Sequence, residues 1–205
     1  MDAILVSHNH FDHMDLPTLR RLASAHSCPV FVPLRNAVLL RKCGFAQVQQ
    51  LDWWGSVNLK GGVRLTAVPA AHGSRRGFGD ENRTLWCGFA ITGSSGTIYF
   101  AGDTGWGPHF EQIRRSLGPV KLALLPIGSY LPRHMMASQH LSPGEALKAN
   151  EALGSKHFVP IHYATFPDGD EAYDEPIKDL ESALKATPSL RDKVHVLTMG
   201  HGRTF

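Results

Sequence analysis

The sequence predicts an α/β domain, an αββα sandwich in which two mixed β-sheets pack face to face with helices outside. Two observations predict it: apolar, β-type runs are concentrated in the middle of the chain, and helical patterns interleave with strands toward both ends. At 205 residues, 42% hydrophobic and 19% charged, the chain fits a single domain, 1–205, with a sizeable core.

The elements follow in order. Residues 3–6 form a short apolar run ending at Ser7, a buried strand. Asp15 is placed to cap the next helix, with Pro17 in its first turn and Leu16, Leu19, Arg20 and Leu22 along it. Residues 30–33 read as a strand and 34–43 as a helix ended by Gly44. A β-rich stretch covers 47–51, 56–59, 63–69, 84–92 and 97–101, with Gly61-Gly62 and Gly93-Ser94-Ser95-Gly96 as turns. Residues 73–82 are dense in turn chemistry and read as a mobile loop. The second half alternates: helix 110–117, strand 122–126, helix 143–153, strand 157–161, helix 175–185 and a last strand 194–197.

Composition limits the function. A net charge of +3 eases the approach of anionic substrates but falls short of a nucleic-acid-binding signature. Cys28, Cys43 and Cys87 form no CxxC pair and no even-numbered framework, which suits three thiols in a reducing compartment. No basic segment followed by an apolar stretch opens the chain and no apolar run is long enough to span a bilayer, so the expected location is cytoplasmic. The sequence sets no oligomeric state. Twelve histidines are the telling excess, because imidazole is the commonest ligand for transition metals.

Those histidines are not scattered. Ser7-His8-Asn9-His10-Phe11-Asp12-His13 directly follows a strand and offers four ligand-type side chains at H-x-H-x-D-H spacing, enough for one loop to feed two adjacent ions. Three more candidates each follow an apolar strand: His72 after Val68-Pro69-Ala70-Ala71, Asp103 after Tyr99-Phe100-Ala101-Gly102, and His162 after Phe158-Val159-Pro160-Ile161. One aspartate after a strand is ordinarily a turn former, and one histidine a hydrogen-bonded structural residue. A ligand type at every such exit is a different observation, since strand ends are where α/β architectures place their chemistry.

This ligand pattern resembles the metallo-β-lactamase superfamily, and within it the N-acylphosphatidylethanolamine-hydrolysing phospholipase D family. The likeness is carried by Pro69-Ala70-Ala71-His72, Ser74-Arg75-Arg76, Ala101-Gly102-Asp103-Thr104-Gly105, the run from Pro126 to Arg133, Gln139-His140 and Ile161-His162. The resemblance implies the metallo-β-lactamase fold. It implies that His8, His10 and His72 hold one metal, that Asp12, His13 and His162 hold the other, and that Asp103 bridges both. Imidazole and carboxylate without thiolate suit two Zn²⁺, with Mn²⁺ or Fe²⁺ also compatible. Such a pair lowers the pKa of a shared water, giving hydroxide near neutral pH. Asp12, Asp103 and His140 are then the catalytic candidates. Gln139, Arg75 and Arg133 are the candidate substrate contacts, and Arg76 is a further candidate partner for phosphate.

The sequence departs from that family at three places. Gly73 stands where a bulky aromatic is usual, which predicts a different pocket wall. Phe11 replaces a frequent tyrosine, removing a hydroxyl. Only seven residues precede His8, where members normally carry several strands; the expectation is a shortened form or a pared-down first sheet lacking N-terminal strands.

The function this resemblance implies is zinc-dependent phosphodiester hydrolysis of the phospholipase D type, on a small-molecule or phospholipid substrate. The alternatives are a lactonase or small phosphate-ester hydrolase, similar to the ascorbate-6-phosphate lactonase branch, and a catalytically inactive metal-binding module. Trp53 and Trp54 read as packing residues, or as a peripheral membrane contact if exposed. No nucleic-acid partner is expected.

Overall fold

The computed structural model describes residues 1–198 and 200–205. Two sheets organise them. The first is parallel and three-stranded, with the order β1 (Ile4–Leu5), β2 (Val30–Pro33), β3 (Val48–Leu51). The second has six strands in sequence order: β4 (Ser56–Asn58), β5 (Arg64–Val68), β6 (Gly88–Gly93), β7 (Gly96–Phe100), β8 (Leu122–Pro126) and β9 (His157–Ile161). Its first four strands pair antiparallel, and β7, β8 and β9 pair parallel. The helices are α1 (Leu16–Ala25), α2 (Ala37–Lys42), α3 (His109–Leu117), α4 (Arg133–Met136), α5 (Pro143–Leu153) and α6 (Glu175–Ala186).

Side-chain alternation along the strands divides the interior into three apolar layers. In β2, Val30 and Val32 face one way, joining Met14, Leu19 and Leu40 beneath α1 and α2. Phe31 faces the other way, meeting Leu65, Ala67 and Phe89 between the two sheets. The far face of the large sheet buries Tyr99, Ala123, Leu125 and Phe158 against α3, α5 and α6. Helix, sheet, sheet, helix is therefore the layer order. Strands buried on both faces explain why so many read as unbroken apolar runs.

Local chemistry accounts for the ends of elements. Asp15 accepts from the Thr18 N–H at the start of α1, and Ser142 with Glu145 forms a reciprocal cap on α5. The helix expected over 34–43 begins only at Ala37. Arg35 takes a φ of +68°, and the buried Asn36 amide donates to the carbonyls of Pro33, Leu34 and Leu85, which holds the chain in a turn. The strand expected over 84–92 begins at Gly88, because Leu85 and Cys87 donate instead to Leu34 and Ser7 and tie the large sheet to the small one. The last strand expected over 194–197 does not form a ladder. Val194 makes one parallel bridge to Phe158, and the His195 ring turns to His157 and Arg203. The four-residue α4 was not foreseen. Cys28, Cys43 and Cys87 are free.

Candidate metal centre

All seven candidate ligands lie just beyond the carboxyl ends of strands. β1 leads into His8–His13, β5 into His72, β7 into Asp103 and β9 into His162. Two glycines allow the exits to close together. Gly102 has a φ of +62°, and a Cβ on it would stand 2.7 Å from the Ser7 Cβ, so the β7 exit packs against the β1 exit only as glycine. A Cβ on Gly128 would stand 2.1 Å from the carbonyl oxygen of His162. His162 itself is held at a φ of +56°, a left-handed conformation that is costly outside glycine and recurs at functional sites.

The ligand atoms fall into two groups sharing one carboxylate. His8 Nε2, His10 Nδ1, His72 Nε2 and Asp103 form the first group, and Asp12, His13, His162 and Asp103 the second. In the first, His10 Nδ1 lies 2.9 Å from His8 Nε2 and 3.2 Å from His72 Nε2, while Asp103 Oδ2 lies 3.8 and 3.7 Å from the same two Nε2 atoms. In the second, His13 Nε2 is 2.9 Å from Asp12 Oδ2 and 3.1 Å from Asp103 Oδ2; His162 Nε2 is 3.4 Å from Asp12 Oδ2 and 3.3 Å from Asp103 Oδ1. Tetrahedral ligands bound at about 2.0–2.1 Å sit roughly 3.3 Å apart, so both groups have the spacing of a coordination shell.

Two further features fit a cation pair. His13 Nε2 and Asp103 Oδ1 are buried and close to opposite charge, yet neither makes a well-angled hydrogen bond among the described residues. The outward nitrogens are also fixed: His72 Nδ1 donates to the Gln139 carbonyl at 3.0 Å, which leaves the Nε2 lone pair facing inward, and the Ser7 hydroxyl lies 3.0 Å from His8 Nδ1.

Electrostatics divides the two groups. Burial lowers His8, His10 and His72, the last to about 3, so these imidazoles are neutral at neutral pH, as ligands must be. Burial acts in the same direction on His13, but the Asp103 and Asp12 carboxylates beside it outweigh burial and raise it to about 10. Burial would raise Asp103, and His13 with the surrounding imidazoles instead holds it well below the usual carboxylate range.

The remaining candidates separate. His140 is buried, its ring centroid 5.1 Å from that of His72 and 5.9 Å from that of His162, and its Nδ1 lacks a hydrogen-bond partner among the described residues. Gln139 is exposed next to it and serves His72 through its carbonyl. Arg75 is exposed. Arg133, expected to contact substrate, is engaged elsewhere: it pairs with Glu145 at 2.7 Å and donates to the carbonyls of Tyr130 and His140. Its partner Glu145 caps α5, so the guanidinium links that helix to the His140 backbone. Arg76 also points inward, to the carbonyls of Asn9 and Met14. Trp53 and Trp54 are partly exposed, and Trp53 Nε1 donates to the Trp86 carbonyl. The sequence reading missed Thr104, whose hydroxyl oxygen accepts from the Ala71 N–H and ties the Asp103 exit to the His72 exit. Its place inside Gly102-Asp103-Thr104 was the available signal.

A pocket of about 370 Å³ opens beside Asp12, His13 and His162, with Ser129, Tyr163 and Phe166 in its wall. Its volume is within the range of small-molecule sites.

Comparison with known proteins agrees with this geometry. The family model described as the β-lactamase superfamily domain matches residues 1–163. N-acyl-phosphatidylethanolamine-hydrolyzing phospholipase D 1 of Caenorhabditis elegans is 35% identical over 203 residues, covering 94% of this chain and 57% of the relative. The mitochondrial N-acyl-phosphatidylethanolamine-hydrolyzing phospholipase D of Saccharomyces cerevisiae is 34% identical over 210 residues, covering 100% and 45%. The chain thus spans about half the length of these curated relatives. Among solved structures, Igni18, a metallo hydrolase from the archaeon Ignicoccus hospitalis, superposes with a TM-score of 0.73 at 28% identity, covering all of this chain and 79% of its own.

Proposed function

The chain belongs to the β-lactamase superfamily and is of the metal-dependent hydrolase kind, and from that premise we propose a two-metal phosphodiesterase acting on N-acylphosphatidylethanolamine or a related phospholipid. The products would be phosphatidic acid and an N-acylethanolamine. The observation that carries the reading is the Asp103 carboxylate, buried between two histidine-bearing groups with an oxygen within 3.1–3.8 Å of a nitrogen of His8, His72, His13 and His162. The names of the worm and yeast relatives support the substrate class.

His8, His10, His72 and Asp103 would hold one ion; Asp12, His13, His162 and Asp103 would hold the other. Zinc is the preferred identity, because the donors are imidazole and carboxylate only. When bound, the ions supply Lewis acidity and bring the pKa of water toward neutral. The protein does the rest. The Asp103 side chain is almost inaccessible to water, so its negative charge is aimed inward and little screened. Asp12 stands at the pocket side and exposes the second group to substrate. His140, kept neutral by burial, lies between the two groups, where it can take a proton from water and then give it to a departing alkoxide. No helix among the described residues is long and apolar enough to cross a membrane. On this reading a lipid offers its headgroup to the 370 Å³ pocket beside Asp12, His13 and His162. Three free thiols favour a reducing compartment such as the cytoplasm as the place of action.

The test compares N-acylphosphatidylethanolamine with bis-p-nitrophenyl phosphate and a lactone, using zinc-loaded parent and His140→Ala. Proton delivery matters for an ethanolamine oxygen and hardly at all for p-nitrophenolate. The variant should lose about 10²–10⁴ in rate on the lipid and little on the nitrophenyl ester, with zinc content unchanged. Turnover of the lactone alone would replace the phosphodiester reading with the lactonase one, and equal losses on both esters would remove His140 from proton transfer.

A further inference from the structure

One arginine joins the loop that follows His72 to the loop that carries four of the ligands. Arg76 Nη1 donates to the carbonyl oxygens of Asn9 at 2.9 Å and Met14 at 2.8 Å, and its guanidinium carbon lies 4.2 Å from the centroid of the Phe11 ring. Asn9 and Met14 are both buried, and they bracket His10, Asp12 and His13. Inside the bracket, the N–H groups of His13 and Met14 both donate to the His10 carbonyl, so the turn is closed internally by the backbone and externally by Arg76. Arg76 is itself anchored: its N–H and that of Gly77 donate to the Asp80 carboxylate. The guanidinium is thus committed through Nη1 to the ligand-bearing turn.

We propose that Arg76 is a positioning residue for the metal pair. It holds the turn of His10, Asp12 and His13 at the distance from His72 and Asp103 that ion binding requires, and it does not touch substrate. The proposal rests on the two-metal reading above. A planar, weakly hydrated guanidinium can satisfy two carbonyls while stacking on Phe11; a strongly hydrated lysine ammonium cannot do both in the same place.

Zinc affinity, measured by competition with a chromophoric chelator, reads this out independently of turnover. Arg76→Ala should bind zinc about 10–100-fold more weakly than the parent, as changes to groups supporting metal ligands do. At saturating zinc its KM for bis-p-nitrophenyl phosphate should stay at the parental value. Added guanidinium should restore zinc affinity, and added ammonium should not. Parental zinc affinity in the variant overturns the proposal; so does a raised KM at full zinc content, which would mark a substrate contact. Absence of guanidinium rescue overturns it too, since the loss would then be general destabilisation. If Arg76→Ala does not fold, Arg76→Lys carries the test: weakened zinc binding supports the proposal and parental binding overturns it. Failure of the two-metal reading would show separately, as a parent protein that binds fewer than two zinc ions per chain.

Discussion

His13 lies between two carboxylates, Asp12 at 2.9 Å and Asp103 at 3.1 Å, which raise its pKa to about 10. The sign of the consequence follows directly. In the metal-free protein His13 keeps its proton at every pH well below about 10, whereas a metal ligand must be the free base, so a cation entering the Asp12 group displaces a proton. His162, also raised, acts in the same direction. The first group behaves differently, because burial already leaves His8, His10 and His72 unprotonated. Zinc binding at pH 7 should therefore release at least one proton, and affinity for the second ion should rise with pH up to about 10. Calorimetry in buffers of different ionisation enthalpy counts the protons. A release of zero would mean that His13 is not displaced from its carboxylates and is not a ligand.

At the scale of elements, each ligand owes its place to where a strand stops. Gly128 makes the point because it carries no ligand and still sets one. β8 ends at Pro126, and the chain then passes so close to the β9 exit that a Cβ on Gly128 would meet the His162 carbonyl. Gly128→Ala should shift His162 and cost about 1–3 kcal/mol in denaturant unfolding, as overpacking typically does, together with loss of zinc from the Asp12 group. Unchanged stability and zinc content would show that the exit can yield. Much of this level was legible in the sequence. Ligand types directly after apolar runs announced the exits, and Asp15 and Pro17 announced the start of α1. What was not legible depended on distant partners. Asn36 delays α2 by bonding to Leu85, forty-nine positions on. Residues 84–87 read as strand but serve the other sheet. Arg133 and Arg76 read as phosphate contacts because an arginine's partners, here Glu145 and backbone carbonyls, are not visible in a linear sequence.

For the whole molecule, the site is the seam between the two sheets. The three-stranded sheet supplies His8, His10, Asp12 and His13 through the loop after β1, and the six-stranded sheet supplies His72, Asp103 and His162. Apolar packing of Phe31, Leu51, Leu65 and Phe89 brings the sheets together behind the site. Among the described residues Asp103 is the one belonging to both ligand groups, so the number of ions bound and the fate of this carboxylate are linked. A carboxylate can bridge two cations through two anionic oxygens, whereas an amide offers one neutral acceptor. The most direct measurement is a zinc titration of metal-free protein, with bound ions counted by elemental analysis, for the parent and for Asp103→Asn. The expected result is a plateau of two ions per chain for the parent, falling toward one in the variant, with turnover reduced beyond the roughly 10–100-fold typical of supporting residues. A parental plateau at one ion, or an Asp103→Asn protein that keeps two ions and near-parental activity, would contradict a shared two-metal centre.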